Sequence, residues 1–301
     1  MEYLRILPGG TYVDATLGLG GHSIAIARLL GPEGHLIAFD RDTEVIEGAG
    51  AKFAALRSQM PRITIHAVAF AEMAQWVQPG SVDGILADFG VSSLQLDTAQ
   101  RGFSFQADAP LDMRMDTRGG ATAEQVVNQA GEEELANLIY EFGEERRSRR
   151  IARAIVRARP VTTTAQLAKV VAACAPAIKS DRIHPATRVF QALRIYVNGE
   201  LDQIASLMES APKLLRPGGR MVAISFHSLE DRIVKDAFRA GRTDGTWQVL
   251  TPKPVTATEA EIRNNPRSRS AKLRAAERAE TTAGAGKKPG GMQEKYLRRS
   301  W

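Results

Sequence analysis

Apolar and polar residues alternate along the first 90 residues in a pattern that predicts strands separated by helices. Short apolar or β-branched runs of the strand type occupy 11–15, 35–40, 63–70 and 81–90. Between them, apolar residues recur at helical spacing, first in HSIAIARLLG and then in DTEVIEGAGAKFAALRSQ. Because alternating strands and helices form a parallel sheet with helices on both faces, the pattern predicts an α/β fold.

A fifth strand-like run, RMVAISF (220–226), follows much later, with more than 130 residues between Asp88 of the fourth run and Met221. A single helical crossover needs only about 30 residues. The intervening stretch 121–180 is rich in alanine with helical periodicity, and a long helical pattern over 186–215 leads into the fifth strand. We therefore expect an α/β domain that is interrupted by a small helical domain. The expected boundaries are 1–96 and 187–240 for the α/β domain, 97–186 for the insertion and 241–301 for a C-terminal extension.

The predicted strands end in residues that could contact a ligand, because ligands of parallel sheets collect beyond the carboxyl ends of the strands. Asp14, Asp40 and Asp88 end the first, second and fourth strands, and Phe70 ends the third. A glycine-rich turn follows Asp14 directly. The same edge of the sheet is therefore expected to hold a cofactor.

The spacing of the glycine turn favours one class of cofactor. Gly18-x-Gly20-Gly21 is followed by His22 and Ser23, so the third glycine of a dinucleotide motif and the lysine of a P-loop are both missing. S-adenosylmethionine offers an ammonium group, which Asp14 could meet directly or through water, and a ribose diol for Asp40. Asp40 would bind the ribose of NAD equally well, and His22 on its own also fits a helix-capping or packing role.

The positive charge of the chain is confined to its end. The net charge is +6, and residues 263–301 carry eleven Lys/Arg against three Asp/Glu, which leaves the rest slightly acidic. A confined basic segment suits a polyanion such as nucleic acid, with a solvated tail as the alternative. Within it, TTAGAGKKPGG (281–291) has the composition of a flexible segment.

Composition also argues against several classes of protein. No apolar run approaches the roughly 20 residues that cross a bilayer, and the N-terminus lacks a secretory signal pattern. The single cysteine, Cys174, lies in an apolar stretch typical of a buried thiol, and no Cys/His cluster has zinc spacing. We expect a cytoplasmic protein without membrane association or a metal ion, either a monomer or a homodimer.

The fourth strand continues into ADFGVSSLQLDTAQRGFSFQADAPLDMRMD. Asp88-Phe89-Gly90-Val91 has the acid of enzymes that methylate exocyclic amines but lacks the Pro-Pro pair of DNA amino-methyltransferases. The run closely resembles the bacterial small-subunit ribosomal RNA cytosine-N4 methyltransferase family (the RsmH or MraW type). Matching stretches occur in family order from about residue 11 to 278: VDATLGLGGHS, AFDRD, YEFGEERRSRRIARAI, ATRVFQALRIYVNGEL, LRPGGRMVAISFHSLEDRIVK and EIRNNPRSRSAKLRAAER.

This resemblance implies a Rossmann-like S-adenosylmethionine-dependent methyltransferase sheet with an inserted small helical domain. It further implies methylation of the N4 of a cytidine in the decoding centre (P-site region) of 16S rRNA. The family carries a His-x-Pro-Val motif ahead of the first strand, and the printed sequence does not contain it. A DNA amino-methyltransferase and a ribosome assembly factor without turnover stay open as alternatives.

The resemblance also implies which residues contact the cofactor. Together with Asp14 and Gly18 from the loop pattern, the expected contacts are Gly20, Gly21, His22, Asp40, Phe70, Asp88 and Gln95. Asp88 is the candidate catalytic residue, because a carboxylate can accept the amino protons of cytosine N4. The alternative is that Asp88 only holds the methionine part of the cofactor.

Basic and polar side chains are the candidates for contact with the rRNA of the small ribosomal subunit. In EERRSRRIARAIVRAR, Arg146, Arg150, Arg153 and Arg157 are predicted to share one helix face, which suits a row of phosphates. The other candidates are Arg267, Arg269 and Lys272, and, beside the target base after the fifth strand, His227 and Ser228. Glu230 and Asp231 are expected to cap the helix that follows. Arg188, Arg194, Asn198 and the segment 110–116 are expected on the substrate side.

Overall fold

Five parallel strands form the centre of the sheet, in the order β3-β2-β1-β4-β5. They are β1 (Thr11–Asp14), β2 (His35–Phe39), β3 (Arg62–His66), β4 (Val82–Asp88) and β5 (Leu215–Ser225). Helices α1 (Gly21–Leu30) and α2 (Thr43–Ala55) connect the first three strands. The computed structural model describes residues 1–55, 60–175 and 184–280. The predicted flexible segment 281–291 lies outside these residues.

Buried apolar residues on the strands explain the parallel arrangement. In β4, every residue from Val82 to Ala87 is buried, as expected of a strand that is covered on both faces. Tyr12, Leu36 and Leu86 pack with Ile26 and Leu30 of α1 in one apolar cluster. The alternation of strand and helix that the sequence predicts is therefore realised as a doubly covered sheet.

Three antiparallel strands complete the eight-stranded sheet. They are β6 (Trp247–Val249), β7 (Val255–Thr256) and β8 (Lys272–Arg278). β8 lies between β5 and β6, and its register pairs Lys272 with Ser225 and Glu277 with Arg220. The stretch expected to form an extension beyond residue 240 is thus part of the sheet as far as β8, because this strand saturates the outer edge of β5.

The chain divides into two compact units, one of 91–200 and one that comprises 1–90 together with the residues from 201 onward. The sequence placed the return to the α/β domain at 187, within helix α8 (Pro185–Asn198). That helix belongs to the 91–200 unit because Val189, Phe190 and Leu193 are buried in its core. The long helical pattern over 186–215 is in fact two helices, since Gly199, with φ of +58°, ends α8 before α9 (Glu200–Leu214) begins.

The 91–200 unit is helical. Besides α8 it contains α3 (Ser93–Asp97), α4 (Ala123–Gln129), α5 (Glu132–Gly143), α6 (Ser148–Ala158) and α7 (Thr164–Cys174). Its core is apolar, with fully buried residues such as Leu135, Ile139, Ile151, Ile155 and Leu193. Reciprocal caps at Thr122 and Thr163 begin α4 and α7. Cys174, expected to be buried, is only partly so.

Two residues expected on the substrate side instead form hydrogen bonds within this unit. Asn198 is buried, and its amide accepts a hydrogen bond from Met115 N (2.8 Å) and donates one to Met113 O (2.7 Å). Arg194 Nε and Nη2 each donate a hydrogen bond of 2.8 Å to the carboxylate of Glu200. The hydrogen-bonding capacity that made them substrate candidates is therefore used within the fold.

Gly102 provides a test of the backbone packing in this unit. Its φ is +71°, and a Cβ there would lie 2.4 Å from the carbonyl oxygen of Pro110. We expect Gly102→Ala to lower the free energy of unfolding by about 2–5 kcal/mol, from left-handed strain plus overpacking. Gly120→Ala is the matched control, because Gly120 also has a positive φ (+82°) but faces open space. Urea unfolding measures both, and equal losses would show that the contact with Pro110 is unimportant.

Candidate active site

The carboxyl ends of β2, β1 and β4 are neighbours in the sheet, and each carries an acidic residue at or just after its end. Asp14 and Asp88 end β1 and β4, and Asp40 directly follows β2. The turn after β1 forms hydrogen bonds with the ends of both neighbouring strands, β4 and β2. Thr16 Oγ accepts a hydrogen bond from Asp88 N (2.7 Å), and Gly18 N donates one to Asp40 Oδ2 (3.0 Å). The turn and the carboxylates therefore form one connected edge.

The glycines of this turn are required by its conformation. Gly18 and Gly20 have φ values of +50° and +79°, a region that other residues rarely adopt. The first amide N–H groups of a helix have no intrahelical acceptor, and Gly20, which precedes α1, has no side chain that could cap them. Gly21 leaves more than 4 Å of open space around the position of a Cβ. The turn can thus admit a ligand close to its backbone.

Asp14 is enclosed by the protein. It has no exposed surface, its Oδ2 accepts a hydrogen bond from Ser23 Oγ (2.6 Å), and its Oδ1 accepts one from Thr16 N (3.1 Å). The prediction that Asp14 could meet a cofactor ammonium directly therefore needs correction, because the side chain has no surface that a ligand could reach. Asp14 instead holds the start of α1 against β1.

Asp14 makes the stability of the fold depend on pH. Burial raises the pKa of its carboxyl from 3.8 to about 6. Between these values the folded protein keeps a proton that the unfolded chain has lost, so the free energy of unfolding falls as the pH rises from 4 to 6. We expect a fall of roughly 2–3 kcal/mol from this group.

The Asp14→Asn variant tests this expectation, because asparagine cannot ionise. Urea unfolding of wild type and variant at several pH values from about 4 to 7 isolates the contribution of Asp14. The difference in the free energy of unfolding should change in favour of the variant as the pH rises. A constant difference would mean that the carboxyl titrates near its ordinary value.

Asp40 is fixed in orientation but keeps acceptor capacity. Its Oδ2 accepts a hydrogen bond from Gly18 N and its Oδ1 one from Asp42 N, each at 3.0 Å. Burial raises the pKa of this partly exposed carboxyl. A carboxylate has about four lone-pair sites, so two are left for a diol. Phe70 does not end β3 as predicted, because the strand ends at His66 and Phe70 begins a 3-10 helix (Phe70–Gln75). Its ring centroid lies 5.9 Å from that of Phe89.

His22 and Asp88 form a pair at the same edge. His22 Nε2 lies 3.4 Å from Asp88 Oδ2, with the two side chains 43% and 30% exposed. The hydrogen bond to Asp88 raises the pKa of His22. The other oxygen, Asp88 Oδ1, is buried and has no hydrogen-bond partner among the described residues. Since an unpaired buried carboxylate oxygen is costly, this atom is a natural acceptor for a ligand N–H.

The comparisons with known proteins decide the family. The model of the MraW methylase family matches residues 1–279. The chain belongs to the MraW methylase family. A protein of Acidobacterium capsulatum named ribosomal RNA small subunit methyltransferase H is 69% identical over 282 residues, which cover 92% of this chain and 95% of that protein. A protein of the same name from Koribacter versatilis is 60% identical over 284 residues, with 92% and 91% covered.

A solved structure of an rRNA methylase from Streptococcus thermophilus is 9% identical, with a TM-score of 0.46 and 93% of each chain covered. Membership of the MraW methylase family confirms the resemblance found in the sequence, and with it the fold class. The sheet order and the helical unit between β4 and α9 in the chain agree with the predicted Rossmann-like architecture. Among the described residues, every helix is too short or too polar to cross a bilayer.

Two residues of the family motif after β5 have helix-capping roles. Helix α10 (Ser228–Asp244) begins after His227, whose Nδ1 accepts a hydrogen bond from Glu230 N (3.5 Å). Glu230 Oε2 accepts hydrogen bonds in return from Phe226 N (2.7 Å) and His227 N (3.2 Å). The ring of His227 was predicted beside the target base, but only 10% of the side chain is exposed because it closes this cap. Ser228, in the first turn, is exposed.

Asp231 does not cap α10 as predicted. Its carboxylate binds Arg274 Nε (2.6 Å) and Lys272 Nζ (3.4 Å) on β8. Since Glu230 already completes the cap, Asp231 is available to hold the last strand. Lys272, predicted to contact RNA, is thus partly occupied in an ion pair. Arg267 and Arg269 lie in the preceding 3-10 turn (Pro266–Ser270) and are exposed.

In the 91–200 unit of this MraW family member, the predicted arginine stripe is only partly realised. Arg150, Arg153 and Arg157 are exposed on α6, and Arg153 Nε lies 3.2 Å from Glu132 Oε1. Arg146 precedes the helix in a turn and therefore does not share its face, because α6 begins only at Ser148.

Gln95, predicted to contact the cofactor, is buried, and its amide oxygen accepts a hydrogen bond from Ser92 N in the cap of α3.

Sequence reasoning missed two hydroxyls that organise the edge. Thr16 fixes the end of β4, and Ser23 fixes Asp14. Both flank the glycine turn, where short hydroxyl side chains commonly bond to nearby backbone and carboxylates. Their position beside the turn was the available signal, although the sequence did not identify their partners.

Proposed function

We propose that this chain transfers a methyl group from S-adenosylmethionine to the exocyclic N4 of a cytidine in the decoding centre (P-site region) of 16S rRNA. Relatives with 60–69% identity are named for methylation of small-subunit ribosomal RNA. The observation that carries the proposal is the arrangement of two acceptors on either side of the glycine turn that follows β1. Asp40, after β2, is held in a fixed orientation, and Asp88 Oδ1, at the end of β4, has no hydrogen-bond partner among the described residues.

The residues of the edge fit the parts of S-adenosylmethionine. The turn of Gly18, Gly20 and Gly21 admits the amino-acid part close to its backbone, and Asp40 accepts hydrogen bonds from the ribose hydroxyls. Phe70 packs beside the adenine. When bound, this cofactor supplies a methyl group on a positively charged sulfur. The assignment of Gln95 as a further contact with the cofactor rests on the family resemblance alone.

Asp88 has the central role in the proposed reaction. The lone pair of cytosine N4 is delocalised into the ring, so the amine is a poor nucleophile. A hydrogen bond from the amino group to the carboxylate of Asp88 would draw N4 toward tetrahedral geometry. The same carboxylate would accept the proton as the bond between N4 and the methyl carbon forms and the bond between that carbon and sulfur breaks, which leaves a neutral thioether. His22, as a donor to Asp88 Oδ2, restricts the carboxylate to one orientation.

Contacts with the RNA backbone are assigned to exposed cations. On α6 these are Arg150, Arg153 and Arg157, and near the carboxyl ends of β4 and β5 they are Arg267 and Arg269, with a partial contribution from Lys272. β8 is antiparallel to β5, and its first residue pairs with Ser225 at the end of β5. The turn that carries Arg267 and Arg269 therefore adjoins the edge that carries Asp88.

Incubation with methyl-labelled cofactor tests the proposal. The substrates are small ribosomal subunits from a strain that lacks the modification, their extracted rRNA, and DNA of similar length. Label at cytidine N4 of the rRNA supports the proposal. Label on DNA alone would identify a DNA amino-methyltransferase instead, and tight binding to subunits without label would identify an assembly factor.

A further inference from the structure

Helix α10 presents a row of basic side chains to solvent. Arg232, Lys235, Arg239 and Arg242 are all exposed, and their spacing of three, four and three residues places them on one side of the helix. We call these four residues the α10 basic face. The opposite side of α10 is apolar and buried, with Ile233, Val234 and Phe238 as examples. The row is thus fixed in direction by the packing of the helix.

The acidic residues of α10 offset this charge only in part. Glu230 is buried in the helix cap, and Asp231 binds Arg274 and Lys272. Asp236 is partly exposed and lies 3.8 Å from Lys235 Nζ. Asp244, the last residue of α10, is exposed, and its Oδ1 accepts a hydrogen bond from Thr246 N (2.9 Å). Within the part of the chain that the structure describes, Arg239 and Arg242 form no ion pair. Two guanidinium groups of the row therefore lack a carboxylate counterion there.

The row begins near the proposed catalytic edge at Arg232 and extends away from it along α10 to Arg239 and Arg242. α10 begins at Ser228, three residues after the end of β5, and runs back along the sheet. The Lys272–Asp231 contact brings the start of β8 against the first turn of α10. Exposed Arg269 lies just before β8. Cations therefore extend from the turn at the edge onto the helix.

Helix stability accounts for only one member of this row. Arg242 lies in the last turn, where a cation interacts favourably with the helix dipole. The same explanation does not apply to Lys235 and Arg239 in the middle of the helix. From Arg232 to Arg242 the row spans about 15 Å, which is long enough for several successive phosphates. A polyanion that reaches the edge is thus the ligand whose charge complements it.

We propose that the α10 basic face, together with Arg269, binds the phosphate backbone of the RNA that flanks the target cytidine. This inference rests on the proposed function, because it concerns the same substrate at the same edge. Contacts of this kind are electrostatic and independent of base sequence. They strengthen binding at low salt and position the RNA strand. The target base is selected by the residues of the proposed catalytic edge and not by these contacts.

The experiment compares the double variant Arg239→Gln/Arg242→Gln with a matched control, Arg28→Gln/Arg62→Gln. The control removes the same charge from exposed positions in the last turn of α1 and at the first residue of β3, the strand that forms the opposite lateral edge of the sheet. The probe is unmodified 16S rRNA transcribed in vitro. Affinity is measured from about 50 to 200 mM salt, the range over which phosphate contacts change binding most visibly.

We expect the α10 variant to lower the slope of log affinity against log salt by about two and to weaken binding roughly tenfold or more near 50 mM salt. The control should match the wild type. Equal slopes for both double variants would overturn the inference. If the wild type methylates rRNA and the α10 variant keeps the full slope, only the α10 assignment fails. If the wild type neither methylates nor binds rRNA, both the proposed function and the α10 assignment fail.

Discussion

Replacing Asp88 with asparagine is expected to slow methyl transfer by about 10²–10⁴-fold, the usual contribution of a positioned proton acceptor. Asparagine has the same shape and keeps an oxygen that can accept a hydrogen bond, but it cannot take the proton from N4. The rate should be measured in a single turnover, with saturating S-adenosylmethionine and unmodified small subunits. Under these conditions neither cofactor affinity nor product release affects the result.

Calorimetry with S-adenosylhomocysteine distinguishes the two roles considered for Asp88. If the residue is the proton acceptor, Asp88→Asn should bind this product with nearly the wild-type dissociation constant. A full transfer rate combined with weakened binding would show that Asp88 only holds the methionine part of the cofactor. His22→Gln is a useful companion, because glutamine can still donate a hydrogen bond toward Asp88 Oδ2. It should therefore keep more activity than His22→Ala.

Asp40→Ala is expected to weaken binding of S-adenosylmethionine by about 10²-fold or more. The variant loses two hydrogen bonds between a carboxylate and the ribose hydroxyls, each with a contribution of about 1.5–3 kcal/mol. It also loses the acceptors for Gly18 N and Asp42 N, which orient the glycine turn. The measurement is again calorimetric, with S-adenosylhomocysteine as the ligand.

Two further variants separate these effects of Asp40. Asp40→Asn keeps an acceptor that can serve the turn but loses the charge, so its affinity should lie between those of wild type and Asp40→Ala. Glu47→Gln, at an exposed position on α2, removes the same charge without touching the edge and should bind normally. If Asp40→Ala binds the ligand as tightly as the wild type does, the ribose assignment is wrong.

The parallel strands were predictable because each has a local signature. Apolar runs that end in an acid mark β1, β2 and β4, and their parallel arrangement places those acids at one edge. Strand β8 was missed, because KLRAAER carries four charged residues among seven and reads as solvent-exposed sequence. Its place in the sheet depends on pairing with β5, some fifty residues earlier in the chain, and on the contact between Arg274 and Asp231.

The positions of the candidate site residues could likewise be predicted only where the signal is local in the sequence. Asp40 and Asp88 follow from strand position and the glycine turn from its spacing. The role of Thr16 did not follow, because its partner Asp88 is 72 residues away in the sequence. His227 was assigned to the substrate since it follows a strand end, but the same position is also where a helix cap forms. For Arg146 the error was one of boundary, because the helical pattern was read one turn too early.

The position of β8 in the chain has a consequence for how the protein is made. β8 is the last described strand in chain order, yet it occupies the interior of the sheet between β5 and β6. During synthesis, the outer edge of β5 stays without a partner until β8 has left the ribosome. An unpaired strand edge can pair with other chains, so a nascent or prematurely terminated polypeptide that lacks β8 is prone to aggregation. A stop codon shortly before Lys272 should therefore be nearly as damaging as one in the middle of the gene.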